Sequence, residues 1–509
     1  KSHDRLTSFQ MAPKTLVALL LLAAAPAAAA DLTADQLADA AASDDVCQGS
    51  EEQCSLELRQ LRGERRTAAL RPEDVGLAQG KAGGAGEARA RAGGSAGRCT
   101  GAFRGTPVHS FEKAPWDVDY ATALKSLDLD AVKADVEELL TDSQECWPAD
   151  FGNYGPFFVR LAWHCSGTFR MTDGVGGCAG GRQRFDVEAS WPDNVNLDKA
   201  RALLVPIKEK YGEGLSWGDL FVLAGTQSLR SMGVPIKSFC AGRIDDSSGA
   251  KSLPLGPSKI QEKVAPCTSP ENGLCQKNPL ETALAPTVIG DIYVDPQGPM
   301  GVPDPKGSAK EIRIVFGKMG HDDRATVALT GGGHAFGKVH GACNVPDAQG
   351  LPPNEAYKQT PREYPYQGKC GTGVGNDTFS SGFEGPWTST PTKWSNEYFK
   401  YLLQEEWETH TGPGGKIQWR MAKNPNDKRM RLTADMAMIA DPEYKKYVIE
   451  FANNMSALDE AFDLAWTGLT TKGGRWSENK FCDGPMPPVS LFTPMENMML
   501  AGDHTPSSA

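Results

Sequence analysis

Residues 157–164 read Phe-Phe-Val-Arg-Leu-Ala-Trp-His, an apolar run broken by one cation, one indole and one imidazole. On a helix Arg160 and His164 are four residues apart and Trp163 is three from Arg160, so all three side chains leave neighbouring turns toward one space. A plain apolar core does not hide such a face, because a buried base and a buried permanent charge each need a partner. The trio suits a pocket where a peroxide O–O bond is cleaved. The base carries a proton between the two oxygens, and the guanidinium stabilises charge on the departing one. Taken alone, one histidine on an apolar helix is more often a hydrogen-bonded core residue.

A second motif shifts that weighing. Residues 326–341 read TVALTGGGHAFGKVHG, an apolar helical stretch that runs into a Gly-rich turn holding His334. Further on, Leu432-Thr433-Ala434-Asp435 sets a carboxylate in an otherwise apolar segment. A histidine that ligates haem iron commonly donates its other ring N–H to a carboxylate, which fixes the tautomer and pushes electron density onto the metal.

On these residues the chain resembles class I haem peroxidases, most like the N-terminal domain of catalase-peroxidases, with some ascorbate peroxidase-like stretches. The resemblance is carried by FFVRLAWHCSGTFR, LSWGDLFVLAG, IYVDPQGPMGVPDP, TVALTGGGHAFGKVHGA, SGFEGPWTSTPTKW and LTADMAMIADPEY, in the family's order over about residues 105–475. It implies an all-α, haem-dependent peroxidase fold, with two helical lobes around one haem b. It implies Arg160, Trp163 and His164 as the distal set, His334 as the axial iron ligand and Asp435 as its hydrogen-bond partner. Trp387 is then the proximal indole, and Trp387 and Ser381 lie against the cofactor. Hydrogen peroxide and a small or protein electron donor are the implied reactants.

Catalase-peroxidases cross-link a distal Trp, a Tyr and a Met, and oxygen release needs that group. Trp163, Tyr293 and Met319 match the three, and Asp193 in Ser-Trp-Pro-Asp-Asn matches the acidic residue at the channel mouth. The expected function is peroxide dismutation plus one-electron oxidation of small donors, as protection against oxidative stress. The alternatives are a cytochrome c- or ascorbate-type peroxidase without catalase activity, and a secreted haem-binding protein without turnover. Several positions depart from the family. Lys472 stands where a mobile arginine is expected, keeping the charge but losing the planar fork. Ser380 replaces the ascorbate-binding arginine. Ala335 and Ser395 replace oxygen ligands of the proximal cation, leaving Thr388 and Thr390. The family's second, haem-free copy of the domain is not within a sequence that ends at Ala509.

Two glycine motifs point elsewhere and are set aside. Residues 332–338 read GGHAFGK, like a phosphate loop, but Val339 replaces the hydroxyl that would hold magnesium. Residues 174–179 mimic a dinucleotide turn with no strand–helix unit around it, and are expected to form a surface loop.

The first hundred residues are Ala-, Gly- and Arg-rich, and the aromatics concentrate after Phe103. The expected division is 1–10 upstream sequence, 11–30 signal peptide, 31–104 a low-complexity pro-, transit or linker segment, 105–480 the haem domain and 481–509 a tail. Lys14, the apolar run 16–25 and Ala28-Ala29-Ala30 make the leader, with cleavage near Ala30 and an expected secreted or plastid address. No stretch is expected to span a bilayer. A net charge of −11 leaves no basic footprint for nucleic acid, and a homodimer stays open.

Twelve cysteines after a leader allow disulfides, with Cys47–Cys54 and Cys267–Cys275 as local pairings and Cys165 as a buried apolar thiol. Helical spacing marks 121–140, 197–210, 217–231, 308–319, 396–408, 442–453 and 456–467, and no long alternating strand run intervenes.

Overall fold

The structure, a computed structural model, describes residues 120–488 apart from 145–146, 148, 172–173, 190, 192–193, 195, 253–254, 256–293, 295, 340–368, 371–376, 379–381 and 413–415. The expected leader, the low-complexity segment, Asp193, Tyr293, Ser380, Ser381 and the pairs Cys47–Cys54 and Cys267–Cys275 lie outside the described residues.

Helices dominate. The helix expected over 121–140 is two, α1 (Tyr120–Leu124) and α2 (Leu129–Thr141). The break falls where Asp128 turns its carboxylate onto the Ala131 N–H at 3.0 Å and caps α2. The Phe-Phe-Val-Arg run forms α3 (Gly155–Ser166), with a proline in its first turn where the missing N–H costs nothing. The short α4 (Asp186–Ala189) follows, then α5 (Leu197–Tyr211) and α6 (Trp217–Ser231), the last capped by Ser216.

The second half contains α7 (Pro305–Lys318), α8 (Asp323–Gly333), α9 (Glu397–Gln404), α10 (Thr433–Ala440), α11 (Pro442–Asn453) and α12 (Met455–Thr471). The helix expected over 396–408 stops early. Its last residues enter β6 (Trp407–Thr411), which pairs antiparallel with β7 (Ile417–Met421) and through it with β8 (Met430–Arg431).

The other strands are short. β1 (Cys240–Arg243) pairs antiparallel with β9 (Trp476–Cys482), and Cys240 is bonded to Cys482 across that pairing. β2 (Lys338–Val339) pairs antiparallel with β5 (Gly385–Pro386). Between them, β3 (Lys369–Cys370) and β4 (Asp377–Thr378) pair in parallel.

Two apolar clusters share α3. Phe158, Leu161 and Cys165 pack with α2, α5 and α6, whereas Val159 and Ala162 join a cluster built from α7 to α12. Gly225 of α6 makes the close crossing: a Cβ there would lie 2.5 Å from the Ala162 Cβ and 3.1 Å from the Phe158 carbonyl. Alanine at 225 would therefore push α6 off the helix that carries His164. Among the described residues no helix is long and apolar enough to cross a membrane.

The loop expected at the surface over 174–181 is buried from Gly176 to Gly181. Gly176 has φ +96°, and a Cβ there would collide with the Thr168 carbonyl. Glycine lets the backbone fold flat against the end of α3, which a solvent-facing loop would not need.

Candidate active site

Arg160, Trp163 and His164 lie on α3 as its spacing predicts. His164 is buried, and its Nδ1 stands 2.9 Å from Asn194 Oδ1. The Asn194 amide donates its own N–H to the Glu188 carbonyl at 2.7 Å, which fixes Oδ1 as the acceptor toward His164. Nδ1 therefore carries the proton and Nε2 keeps its lone pair. Glu188 is in turn held by Ser252 Oγ at 2.6 Å and Arg182 Nε at 3.3 Å. Burial, then the Arg160 charge, push the His164 pKa well below its usual 6.5, and the Asn194 bond opposes them only in part. The imidazole is neutral across the physiological range, ready to accept a proton. Trp163 stacks on Phe316 of α7 with ring centroids 5.5 Å apart, and it packs against the cluster that contains Met319.

His334 closes the C-terminal end of α8. Its Nδ1 meets Asp435 Oδ1 at 2.7 Å, and its ring stacks on Trp387 at 4.0 Å and 12°. The short pairing of β2 with β5 makes this possible. It sets the residues after His334 beside those before Trp387, and a buried Lys338–Glu384 ion pair locks the same junction. Asp435 sits in the first turn of α10, where the helix N-terminus favours a carboxylate. It accepts the Trp387 indole N–H at 3.0 Å and the Leu432 N–H at 2.7 Å on Oδ2, and the Tyr398 hydroxyl at 2.7 Å on Oδ1. Burial alone would raise its pKa, but His334, the Arg431 charge and the Leu432 N–H outweigh it and lower the pKa from the usual carboxylate value. Arg431 is buried against the same group and donates to the carbonyls of Trp387 and Tyr398 at 2.8 and 3.1 Å.

A haem fits this donor set. Iron binds a neutral imidazole through one ring nitrogen, and Asp435 accepts from Nδ1, so Nε2 is the nitrogen that would face the metal. The His334 side chain is 15% exposed while Asp435 is 0%, so the carboxylate that orients the ring is sealed from solvent.

Several expectations need correction or extension. Cys165 is not a thiol: it is bonded to Cys178, the Cα atoms 4.8 Å apart. The buried glycine loop brings Cys178 onto the residue next to His164, a proximity that sequence separation hid. Lys472 donates to the carbonyls of Met319 and Gly320 at 3.1 and 2.9 Å, and burial lowers its pKa to about 8. Thr388 gives its hydroxyl to the Ala335 carbonyl at 2.8 Å, and Thr390 is exposed. Asn194 and Tyr398 went unnoticed in the sequence. The signal for Asn194 was its place directly after Asp193 in Ser-Trp-Pro-Asp-Asn; Tyr398 reads only as a core aromatic.

A largely helical core thus carries His164, His334 and the buried Asp435, and comparison with known proteins supplies the family. The chain belongs to the peroxidase family, whose family model matches residues 132–454. It is 46% identical to a catalase-peroxidase of Escherichia coli over 382 residues, 71% of this chain and 50% of that protein. It is 47% identical to a catalase-peroxidase of Halobacterium salinarum over 69% of this chain and 50% of the relative. It is 45% identical to one of Salinibacter ruber over 70% and 50%. The chain spans about half the length of these curated relatives. They are bacterial and archaeal proteins, from cells without plastids, and this overturns the secreted or plastid address expected from residues 11–30.

Proposed function

We propose that this chain is a haem peroxidase that reduces hydrogen peroxide and also dismutates it, as the name of its relatives describes. The observation that carries the reading is the His334 imidazole, pinned at Nδ1 by a buried, ionised carboxylate and stacked on an indole. The two apolar clusters would correspond to two lobes, and His334 would hold a haem b between them. When bound, the haem supplies the redox centre that takes up the oxidising equivalents of peroxide.

The chain's own residues move the proton. His164 Nε2 accepts it from the incoming peroxide oxygen and returns it to the departing one, with Nδ1–H held by Asn194. Arg160 stabilises the charge that develops as the O–O bond opens. Trp163 and Phe316 wall the pocket with aromatic surface and exclude water. By the family resemblance, Ser381 would join Trp387 in cofactor binding and Asp193 would serve substrate entry; both positions lie outside the described residues. By the family resemblance, Trp163, Tyr293 and Met319 would form the cross-linked group on which oxygen release depends, Tyr293 lying outside the described residues; a single proteolytic fragment carrying all three peptides would reveal it by mass.

Oxygen evolution from hydrogen peroxide by the haem-loaded protein, with no donor added, tests the reading. Steady oxygen release is the expected result. No oxygen, with rapid oxidation of an added phenol or reduced cytochrome, overturns dismutation and leaves a one-electron peroxidase. One feature favours that second reading: the Lys472 ammonium is engaged by two backbone carbonyls.

A further inference from the structure

Asp435 Oδ1 serves two donors. It takes the His334 Nδ1–H and the Tyr398 hydroxyl, each at 2.7 Å, while Oδ2 takes the Trp387 and Leu432 N–H groups. A carboxylate offers about four lone-pair sites, so these donors fill it. Tyr398 is fully buried on α9 and held from three sides. Its ring meets His334 edge-on at 6.0 Å, Phe399 edge-on at 5.2 Å and the Arg431 guanidinium at 4.7 Å. The hydroxyl is thus aimed at one oxygen by packing that does not depend on the hydroxyl itself.

We propose that Tyr398 is a positioning residue that sets how strongly Asp435 draws on the proximal imidazole. This inference rests on the reading of His334 as the iron ligand. Each hydrogen bond to Oδ1 draws charge from that oxygen, so the Tyr398 bond weakens the pull on the His334 N–H. Without it, Asp435 bonds His334 more tightly, the imidazole gains anionic character, and the ferric state is favoured over the ferrous. Tyr398 therefore holds the reduction potential up, against the downward pull of the carboxylate.

Tyr398→Phe removes the hydroxyl and keeps the ring. The full chain, loaded with haem, is titrated by spectroelectrochemistry, and the ferrous iron–imidazole stretch is read by resonance Raman. The expected result is about a tenfold shift of the reduction equilibrium toward ferric, ~59 mV for one electron, with the stretch moving to higher frequency. An unchanged or raised potential in a variant that loads haem overturns the proposal. Tyr444→Phe is the control: that phenol is buried on α11 with no hydrogen-bond partner among the described residues, and its loss leaves the potential unmoved. Should Tyr398→Phe fold poorly, 3-fluorotyrosine at position 398 alone gives the opposite test. A stronger donor there raises the potential, and no rise overturns the inference. The ligand assignment is separately readable. If the unaltered protein shows no iron–imidazole stretch, the His334 reading fails and this inference with it; a stretch that is present but unmoved by Tyr398→Phe sinks this inference alone.

Discussion

His164 and His334 are the same side chain in two opposite settings. Both are fixed through Nδ1. The partners differ. His164 is held by a neutral amide in a buried site beside the Arg160 cation, and both features disfavour the protonated ring. His334 is held by an anion, whose charge strengthens the ring as an electron donor. On the proposed reading, the neighbour at Nδ1 separates a base that must shed its proton from an iron ligand that must never carry one at Nε2. Helix position follows the same division. His164 is in the last turn of α3, under a covalent brace from Cys165 to Cys178, whereas His334 ends α8, where the chain turns toward Trp387.

The largest expected effect breaks the first half of this contrast. His164→Leu keeps the volume and removes the base, and the bimolecular rate with hydrogen peroxide should fall by about a hundredfold or more. Stopped-flow mixing of haem-loaded protein with peroxide measures it, and an unchanged rate would sink the proton-transfer role. The second half is tested by Asp435→Asn. An amide in that place presents N–H to at least one of four donors, so one bond is lost and the anion with it. Haem affinity or turnover should drop about 10- to 100-fold. Retention of both at the original level would mean that the carboxylate is only structural.

The smallest effect concerns acid stability. His164 and His321 are both buried with pKa values pushed down, His321 to about 3 by burial and then by the Lys472 charge. Unfolded, each titrates near 6.5, so the unfolded chain binds more protons as pH falls below that value. Stability is therefore full above about pH 6.5 and declines toward about pH 3. Among the described residues the buried His321 Nε2 has no hydrogen-bond partner, so His321→Phe should flatten part of this decline and cost little at pH 7. Urea titrations of both proteins at pH 7 and pH 5 compare them; an equal loss in each would exclude His321 from the acid response.

Periodicity alone made much of this molecule legible. The four-residue step from Arg160 to His164 set one face of α3, and caps such as Ser216 and Asp322 stand where helices begin. Local chemistry suffices for such features because helix bonds join residues near in sequence. Where a polar side chain competed with the helix, as Asp128 does, pattern reading ran across the break. The proximal residues were identifiable by type and motif, but not their shared geometry.

What the sequence by itself determined is therefore the inventory: a histidine one helical turn from an arginine, a second histidine at a glycine turn, and a carboxylate in an apolar segment. Tertiary structure decided who holds whom. Asn194 on His164, Tyr398 on Asp435 and Cys178 on Cys165 are pairings across 30, 37 and 13 residues. No spacing rule specifies them, because they arise from packed helices and a buried loop that meet only once the whole core closes.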